Sequence, residues 1–339
     1  MTLDPERRTA LMGIRLRGLA TGVADVAPAV ETINVAGGVA MVDPTPGRAC
    51  VWFLASDDHP ERALGHVLLL SARHAITGVA VCFDDAAAAS VAARRATALE
   101  PSPLVWVVDG RSLRRAEPAP ALPLSDPPEA PEGFIALCVG AGVEPVVEHG
   151  IWRGEVLGLE VVRTTVVGTE AGMGAGIEVG VGRFDREAGA ILHGDLPPTA
   201  ALSSAADLVR RERHAGAGAH PLAGLVRERW LRRDLMVDPS PLGLVDLVAV
   251  DPADVVNGLR EPSPTPAIGS GHDGERVLVV CSVGVDPGVV PAAADLVLRE
   301  RPDRLIVVVP ERDVHPALVG AVERLVVPAG IVGVTGPWS

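Results

Sequence analysis

Hydrophobic and polar positions fall in blocks along much of this chain rather than alternating residue by residue. Between residues 49 and 109 a short apolar run, CVWFL, leads into a helix-period stretch, ERALGHVLLLSARH. The run GVAVCF, the stretch AAAASVAARRATALE and the run PLVWVV complete this part. After residue 275 the order returns, as RVLVVCSV, VVPAAADLVLRE, RLIVVVP, PALVGAVERL and GIVGV. Continuous Val, Ile and Leu runs separated by helical stretches are the pattern of strands buried on both faces, as parallel strands in βαβ units are.

The expected class is therefore α/β, with Rossmann-like βαβαβ units and a largely parallel sheet at both ends, flanking a central α+β segment. Each end unit has about 60 residues, which is marginal for independent stability. Each should borrow partners from the rest of the chain, and a sheet shared between the two ends is one way to do so. The middle reads differently. FIALCVGAGVEPVVEHG (134–150) predicts a helix, GEVLGLEVVRTTVV and GIEVGVGRFD predict paired strands, and the Gly-rich GTEAGMGAG (168–176) is their hairpin loop. TAALSSAADLVRRERH predicts a helix from Thr199, and PLAGLVRERWLRRDLM predicts a second after the turn AGAGAH. Two Pro-rich stretches, AEPAPALPLSDPPEAPEG and EPSPTPAIGSGHDG, carry no periodic pattern and read as linkers. They divide the chain into an N-terminal α/β unit (1–117), a linker (118–133), a central segment with Arg-rich helices (134–260), a linker (261–275) and a C-terminal α/β unit (276–339).

With 48% apolar residues the 339-residue chain is not of the disordered class. All 30 basic residues are Arg, and Lys, Gln and Tyr are absent. That removes a phosphate-loop lysine, a Schiff-base lysine and a Ser-Lys nucleophile pair from consideration, since Arg replaces none of them. A net charge of −13 argues against non-specific coating of nucleic acid. Cys50, Cys82, Cys138 and Cys281 form no Cys-x-x-Cys pair and read as reduced core thiols. The opening MTLDPERRTA is unlike a secretory signal, and no apolar stretch reaches membrane-spanning length. The expectation is a soluble cytoplasmic protein with no membrane partner. No motif names a cofactor.

Candidate chemistry sits first at three His-Pro pairs. Asp58, His59 and Pro60 follow the first apolar run, and Asp313, His315 and Pro316 follow RLIVVVP, at the carboxyl ends of predicted strands where open α/β sheets bind ligands. An acid beside an imidazole could ligate a metal or share a proton. Yet His220-Pro221 also opens a predicted helix, and Pro favours the first helical position, so helix punctuation is the preferred reading. The second candidate is the strand-to-helix loop CSVGVDPGVV, where Ser282, Gly284, Asp286 and Gly288 would let backbone amides approach a small anionic or nucleotide-like ligand. The third is the Arg cluster Arg210, Arg211, Arg213, Arg227, Arg229, Arg232 and Arg233, which could grip phosphates of a nucleic acid, or lie partly buried with Trp230 and paired to acids. Helical periodicity spreads these arginines around the second helix, which favours the paired reading.

Glu155, Glu160, Glu178, Asp185 and Glu187 crowd the central strands. A helix followed by acidic strands resembles the opening of the restriction-endonuclease-like nuclease core. The resemblance implies a metal held by Glu160, Glu178 and Asp185, but Gly180 stands where that family carries its lysine. Around HPLAGLVRERWLRRDLMVDPSPLG (220–243) and DREAGAILHGDLP (185–197) the chain resembles a protein family of high-GC actinobacteria, which brings no activity with it. The leading functional expectation is a binder of a small anionic or nucleotide-like ligand at strand carboxyl ends. A divergent metal-dependent nuclease or phosphohydrolase and a non-catalytic interaction protein are the alternatives, with homo-oligomerisation left open.

Overall fold

The computed structural model describes residues 4–26, 30–56, 59–124, 126–169, 172–182, 197–216, 220–256 and 258–338. It is a mixed α/β protein with three sheets. The first sheet has the order β1 (Thr32–Val35), β2 (Gly38–Asp43), β3 (Cys50–Ala55), β4 (Gly78–Phe83), β5 (Leu104–Asp109) and β6 (Ser112–Arg115). β3, β4 and β5 are parallel, joined through α2 (Ala63–Arg73) and α3 (Ala86–Ala96). β1, β2 and β6 add antiparallel edges, so the sheet is mixed rather than largely parallel.

The continuous apolar runs have a direct cause. Trp52, Leu54, Ala80 and Cys82 pack against Leu16, Leu19 and Ala20 of α1 (Pro5–Thr21). The alternate residues Val51, Phe53, Val79 and Val81 are equally buried, on the side where α2 and α3 contact the strands. Both faces are covered, so neither tolerates polar residues. Asp85 starts α3 by accepting the amides of Ala87 (2.9 Å) and Ala88 (3.3 Å).

The second sheet is an antiparallel meander in the order β10 (Gly172–Val179), β9 (Leu159–Thr169), β8 (Ile151–Val156) and β7 (Glu144–Glu148). Three departures from the sequence reading occur here. The helix expected over 134–150 stops after one short piece, α4 (Phe134–Gly140), because Gly142 turns left-handed at φ +64° and Pro145 lies in β7. The strand expected over GEVLGLEVVRTTVV is broken into β8 and β9 by a two-residue hairpin, Leu157-Gly158, with φ values of +50° and +72°. Positive φ at both central residues is what a type I′ turn requires, and His149-Gly150 makes the same kind of turn between β7 and β8. A side chain at Gly158 would collide with the backbone of Arg229 and Trp230. The pairing of β9 with β10 runs into the Gly-rich stretch read as a loop, from Thr169 across to Gly172. α5 (Pro198–Glu212) lays Leu202, Ala206 and Val209 onto this sheet, where they join Phe134, Cys138, Leu159 and Val161 in one core.

The third sheet has the order β11 (Leu244–Ala249), β12 (Thr265–Gly271), β13 (Arg276–Cys281), β14 (Arg304–Pro310) and β15 (Ala329–Val334). β12 lies inside the stretch 261–275 expected to be a linker. Its Thr, Pro, Gly and Ser residues hide a strand from propensity, but tertiary pairing with β11 and β13 supplies the hydrogen bonds. The stretch 118–131, by contrast, has no regular secondary structure among its described residues. The second predicted Arg-rich helix is split into a 3₁₀ turn, Pro221–Gly224, and α6 (Arg227–Val237).

The chain forms two compact units, each discontinuous in sequence. One comprises Met1–Pro123, Val285–Val307 and Val314–Ile331; the other comprises Leu124–Gly284, Val308–Asp313 and Val332–Ser339. Within the first, α7 (Val289–Glu300) and α8 (Pro316–Val322) pack on α2 and α3 in a reciprocal pattern, α2 with α8 and α3 with α7. Leu99, just after α3, bridges Leu325, just after α8, in antiparallel sense. The amides of Glu100 and Val326 complete this local two-fold by donating to Arg324 (2.7 Å) and Ala98 (3.0 Å). The two ends of the chain thus borrow helices from each other. Their strands lie in different sheets, because β2 and β6 already occupy both edges of the parallel set. Among the described residues no helix is long and apolar enough to cross a membrane.

Candidate functional site

The His-Pro pairs are helix starts. His315 caps α8, its Nδ1 accepting the Ala317 amide at 3.1 Å, and His220 caps its 3₁₀ turn by accepting the Leu222 amide at 3.3 Å. His59 holds the same position before Pro60, with Nδ1 3.1 Å from Glu61 Oε1 and no capping bond. Asp58 lies outside the described residues.

Asp313 has a different task. Its Oδ2 accepts the Gly284 amide at 2.7 Å, which joins two sequence features 29 residues apart. Asp286 Oδ1 similarly accepts the Gly288 amide at 2.8 Å, and Ser282 is buried. The two amides that would grip an anion at this loop are thus already held by the chain's own carboxylates.

The central carboxylates are held by arginines. Glu160 is buried and receives Arg163 through Nε (2.6 Å) and Nη2 (3.0 Å), with Arg153 Nη1 at 3.4 Å. Arg229 on α6 bridges Glu148 (2.5 Å) and Glu155 (2.8 Å), and Arg232 Nη2 lies 3.7 Å from Glu155. Burial raises the pKa of Glu148, but Arg229, Arg153 and Arg232 outweigh it and hold the group below its ordinary value. Glu178 is exposed and sits across from Arg163, while Asp185 lies outside the described residues. Among the described residues no group of three or more His, Cys, Asp or Glu side chains is placed to hold a metal. The four cysteines are free, and burial pushes Cys50, Cys82 and Cys281 up to about 12, which keeps them protonated.

The Arg cluster is divided among three tasks. Arg229 and Arg232 serve the acid network just described. Arg211 is exposed and pairs with its neighbour Glu212 at 3.0 Å, and Arg227 donates to the Trp338 carbonyl at 3.3 Å. Arg210, Arg213 and Arg233 line a cavity of about 390 Å³.

This cavity is built from four places in the sequence. The end of α5 contributes Arg210, Arg213 and His214; β7 contributes Glu144; α6 contributes Trp230, Arg233 and Asp234; the end of β8 contributes Val156 and Leu157. Arg213 is fully buried and donates to four carbonyls, those of Leu157 (3.0 Å), Leu222 (2.8 Å), Leu225 (2.5 Å) and Val226 (3.2 Å). Its guanidinium carbon lies 4.7 Å from the Trp230 ring centre. No carboxylate stands at salt-bridge distance from it among the described residues. Burial pulls its pKa down to about 10, against the more distant pull of Glu155 and Glu228.

Arg210 donates through Nη2 to the carbonyls of Ala141 (3.1 Å) and Gly142 (2.7 Å), and through Nη1 to Asp207 (3.0 Å). Arg233 engages Glu144 through Nε (2.7 Å) and Asp234 through Nη1 (3.0 Å), which leaves its Nη2 with no partner among the described residues. Three guanidinium groups therefore meet two carboxylates at the lining, with His214 exposed beside them. The sequence reading named the arginines but missed His214, Glu144 and Asp234, which only the β7 meander and the α5–α6 turn bring to them.

Two other hollows differ in character. One of about 190 Å³ opens at the carboxyl ends of β3 and β4, lined by Ala55, Ser56, Pro60, Phe83, Asp84 and Asp85. Among the described residues the charged side chains of this lining are acidic, with Asp84 paired to Arg15 and Asp85 capping α3. The other, about 600 Å³, is an open and mainly apolar groove beside Pro118, Ala119, Val297 and Pro302. Comparison with protein families, curated proteins and solved structures finds no match to this chain.

Proposed function

We propose that the protein binds a small anionic ligand in the cavity between α5, α6 and the β8–β9 turn. The observation that carries this reading is Arg213, a buried cation held by four carbonyls, on which Glu155, Glu228 and Asp234 act only from beyond salt-bridge distance. A buried charge without a counter-ion is costly, and an anion entering beside it recovers part of that cost. Arg210 and the open Nη2 of Arg233 supply further donors at the same lining. The strand-end reading at residues 282–288 has weaker support, since Asp313 and Asp286 already hold its amides. The three parallel strands β3, β4 and β5, joined through α2 and α3, support a Rossmann-like reading of the N-terminal part, but the small hollow at their ends is acidic and favours no anion.

Calorimetric titration with inorganic phosphate, sulfate and small carboxylates at low ionic strength tests the proposal. Saturable one-site binding is expected, weakened at least about tenfold by Arg210→Gln, in line with a lost charge-assisted hydrogen bond. An absence of heat and of thermal stabilisation across all of these anions would sink it.

A further inference from the structure

The lining of this cavity has an acidic side as well as a basic one, and the two come from different elements. Arg210, Arg213 and His214 lie at the end of α5 and just beyond it, whereas Glu144 belongs to β7 and Asp234 to α6. For a simple anion, two carboxylates in the same lining are a repulsive cost. Arg233 neutralises them only in part, taking one oxygen of each, Glu144 Oε1 and Asp234 Oδ1. Glu144 keeps a side-chain exposure of 41%, so its second oxygen is open to another cation. Resting on the anion-binding reading, we infer that the ligand is amphoteric, an amino acid or similar small molecule with an ammonium group beside its carboxylate.

In this arrangement the carboxylate lies toward Arg210 and the buried Arg213, and the ammonium toward Glu144 and Asp234. Val156 and Leu157 offer an apolar wall to the rest of the molecule. The volume admits this class: at about 30 Å³ per water, 390 Å³ holds about a dozen water-sized groups, more than a leucine or glutamate has non-hydrogen atoms.

The test is calorimetric titration of the full chain with matched pairs that differ only in the amino group: L-glutamate against glutarate, and L-leucine against 4-methylpentanoate, with phosphate as the plain anion. The amino acid of at least one pair should bind at least about tenfold more tightly than its deaminated partner, a difference of about 1.4 kcal/mol. Glu144→Gln should bring that pair to within about twofold while the deaminated acid binds as well as before or better, because a repulsive carboxylate is gone. Circular dichroism and the thermal midpoint of the variant establish that it is folded, and Glu144→Asp, which keeps the charge, should retain part of the preference. Deaminated acids that bind as tightly as the amino acids, or phosphate that binds while no amino acid does, would overturn the inference and leave the anion reading standing. If none of these probes binds, both fall. A preference for amino acids that Glu144→Gln leaves unchanged would overturn the placement of the ammonium.

Discussion

Arg213 shows how much a single side chain can organise. Its planar fork satisfies four carbonyls that come from the β8–β9 turn and from the segment leading into α6. Two of them, Leu222 and Val226, also accept the amides of Leu225 (3.4 Å) and Arg229 (3.1 Å), so the guanidinium ties the turn before α6 and the start of that helix to the β8–β9 turn. Arg213→Ala should therefore cost about 2 to 5 kcal/mol, because buried carbonyls of the cage lose a donor at about 1 to 3 kcal/mol each. Arg213→Lys should recover little of it, because an ammonium has three donors and no fork. Urea denaturation of the three proteins measures both; a loss below about 1 kcal/mol for the alanine variant would contradict the structural role. At this scale the sequence was informative about kind but not about place. It put Arg210, Arg213 and Arg233 in one cluster, but helical periodicity cannot tell a caged arginine from a paired one when the cage lies 56 residues away at Leu157.

At the scale of elements, the helices and strands with continuous apolar runs were legible, since burial on two faces leaves a mark on every residue. α2, α3, α7 and α8 lie where the periodicity places them. The central meander was not legible in the same way. β7 reads as a helix continuation, and β8 with β9 reads as one strand, because Leu157-Gly158 looks like part of an apolar run until its positive φ is known.

The charged side chains of this meander also carry a pH dependence. Glu148 has a folded pKa held below its ordinary value of 4.5. A depressed carboxylate contributes stability that is fully present above its unfolded pKa and is lost as pH falls through the folded one. The protein should therefore lose stability progressively on acidification below about pH 4.5. Glu148→Gln should be less stable than the parent at neutral pH, with the gap closing as the pH falls below about 4.5. Denaturation midpoints from neutral to acid pH are the measurement, and a gap that widens toward acid would show that Glu148 is not held as an anion.

For the whole molecule, the decisive feature is that helices from the C-terminal third complete the N-terminal unit. Asp295 on α7 has no exposed side-chain surface and receives Arg94 through Nε (2.7 Å) and Nη2 (2.9 Å), and Arg95 through Nε (2.7 Å). Arg324 reaches Ser71 (3.1 Å) and the carbonyls of Thr77 (3.0 Å) and Pro101 (2.7 Å). Asp295→Ala strands two arginines in the α3–α7 contact and should destabilise the protein by about 3 to 5 kcal/mol. Asp295→Asn, which keeps the shape and some acceptors, should cost less. Thermal unfolding of both variants checks this, and equal melting temperatures for Asp295→Ala and the parent would remove the ion cluster from the account.

By itself, the sequence determined the α/β class, the position of most helices, the buried parallel character of β3 to β5, and the exclusion of lysine chemistry. These follow from local pattern and composition, which each segment carries without reference to any other. Only the tertiary structure decided that the two chain ends meet through helices, that Asp313 closes the Gly284 loop, and that part of the Arg cluster surrounds a cavity. Those outcomes depend on pairings between residues tens to hundreds of positions apart, where hydrogen bonding and burial are set by which partners arrive and not by the pattern of either segment alone.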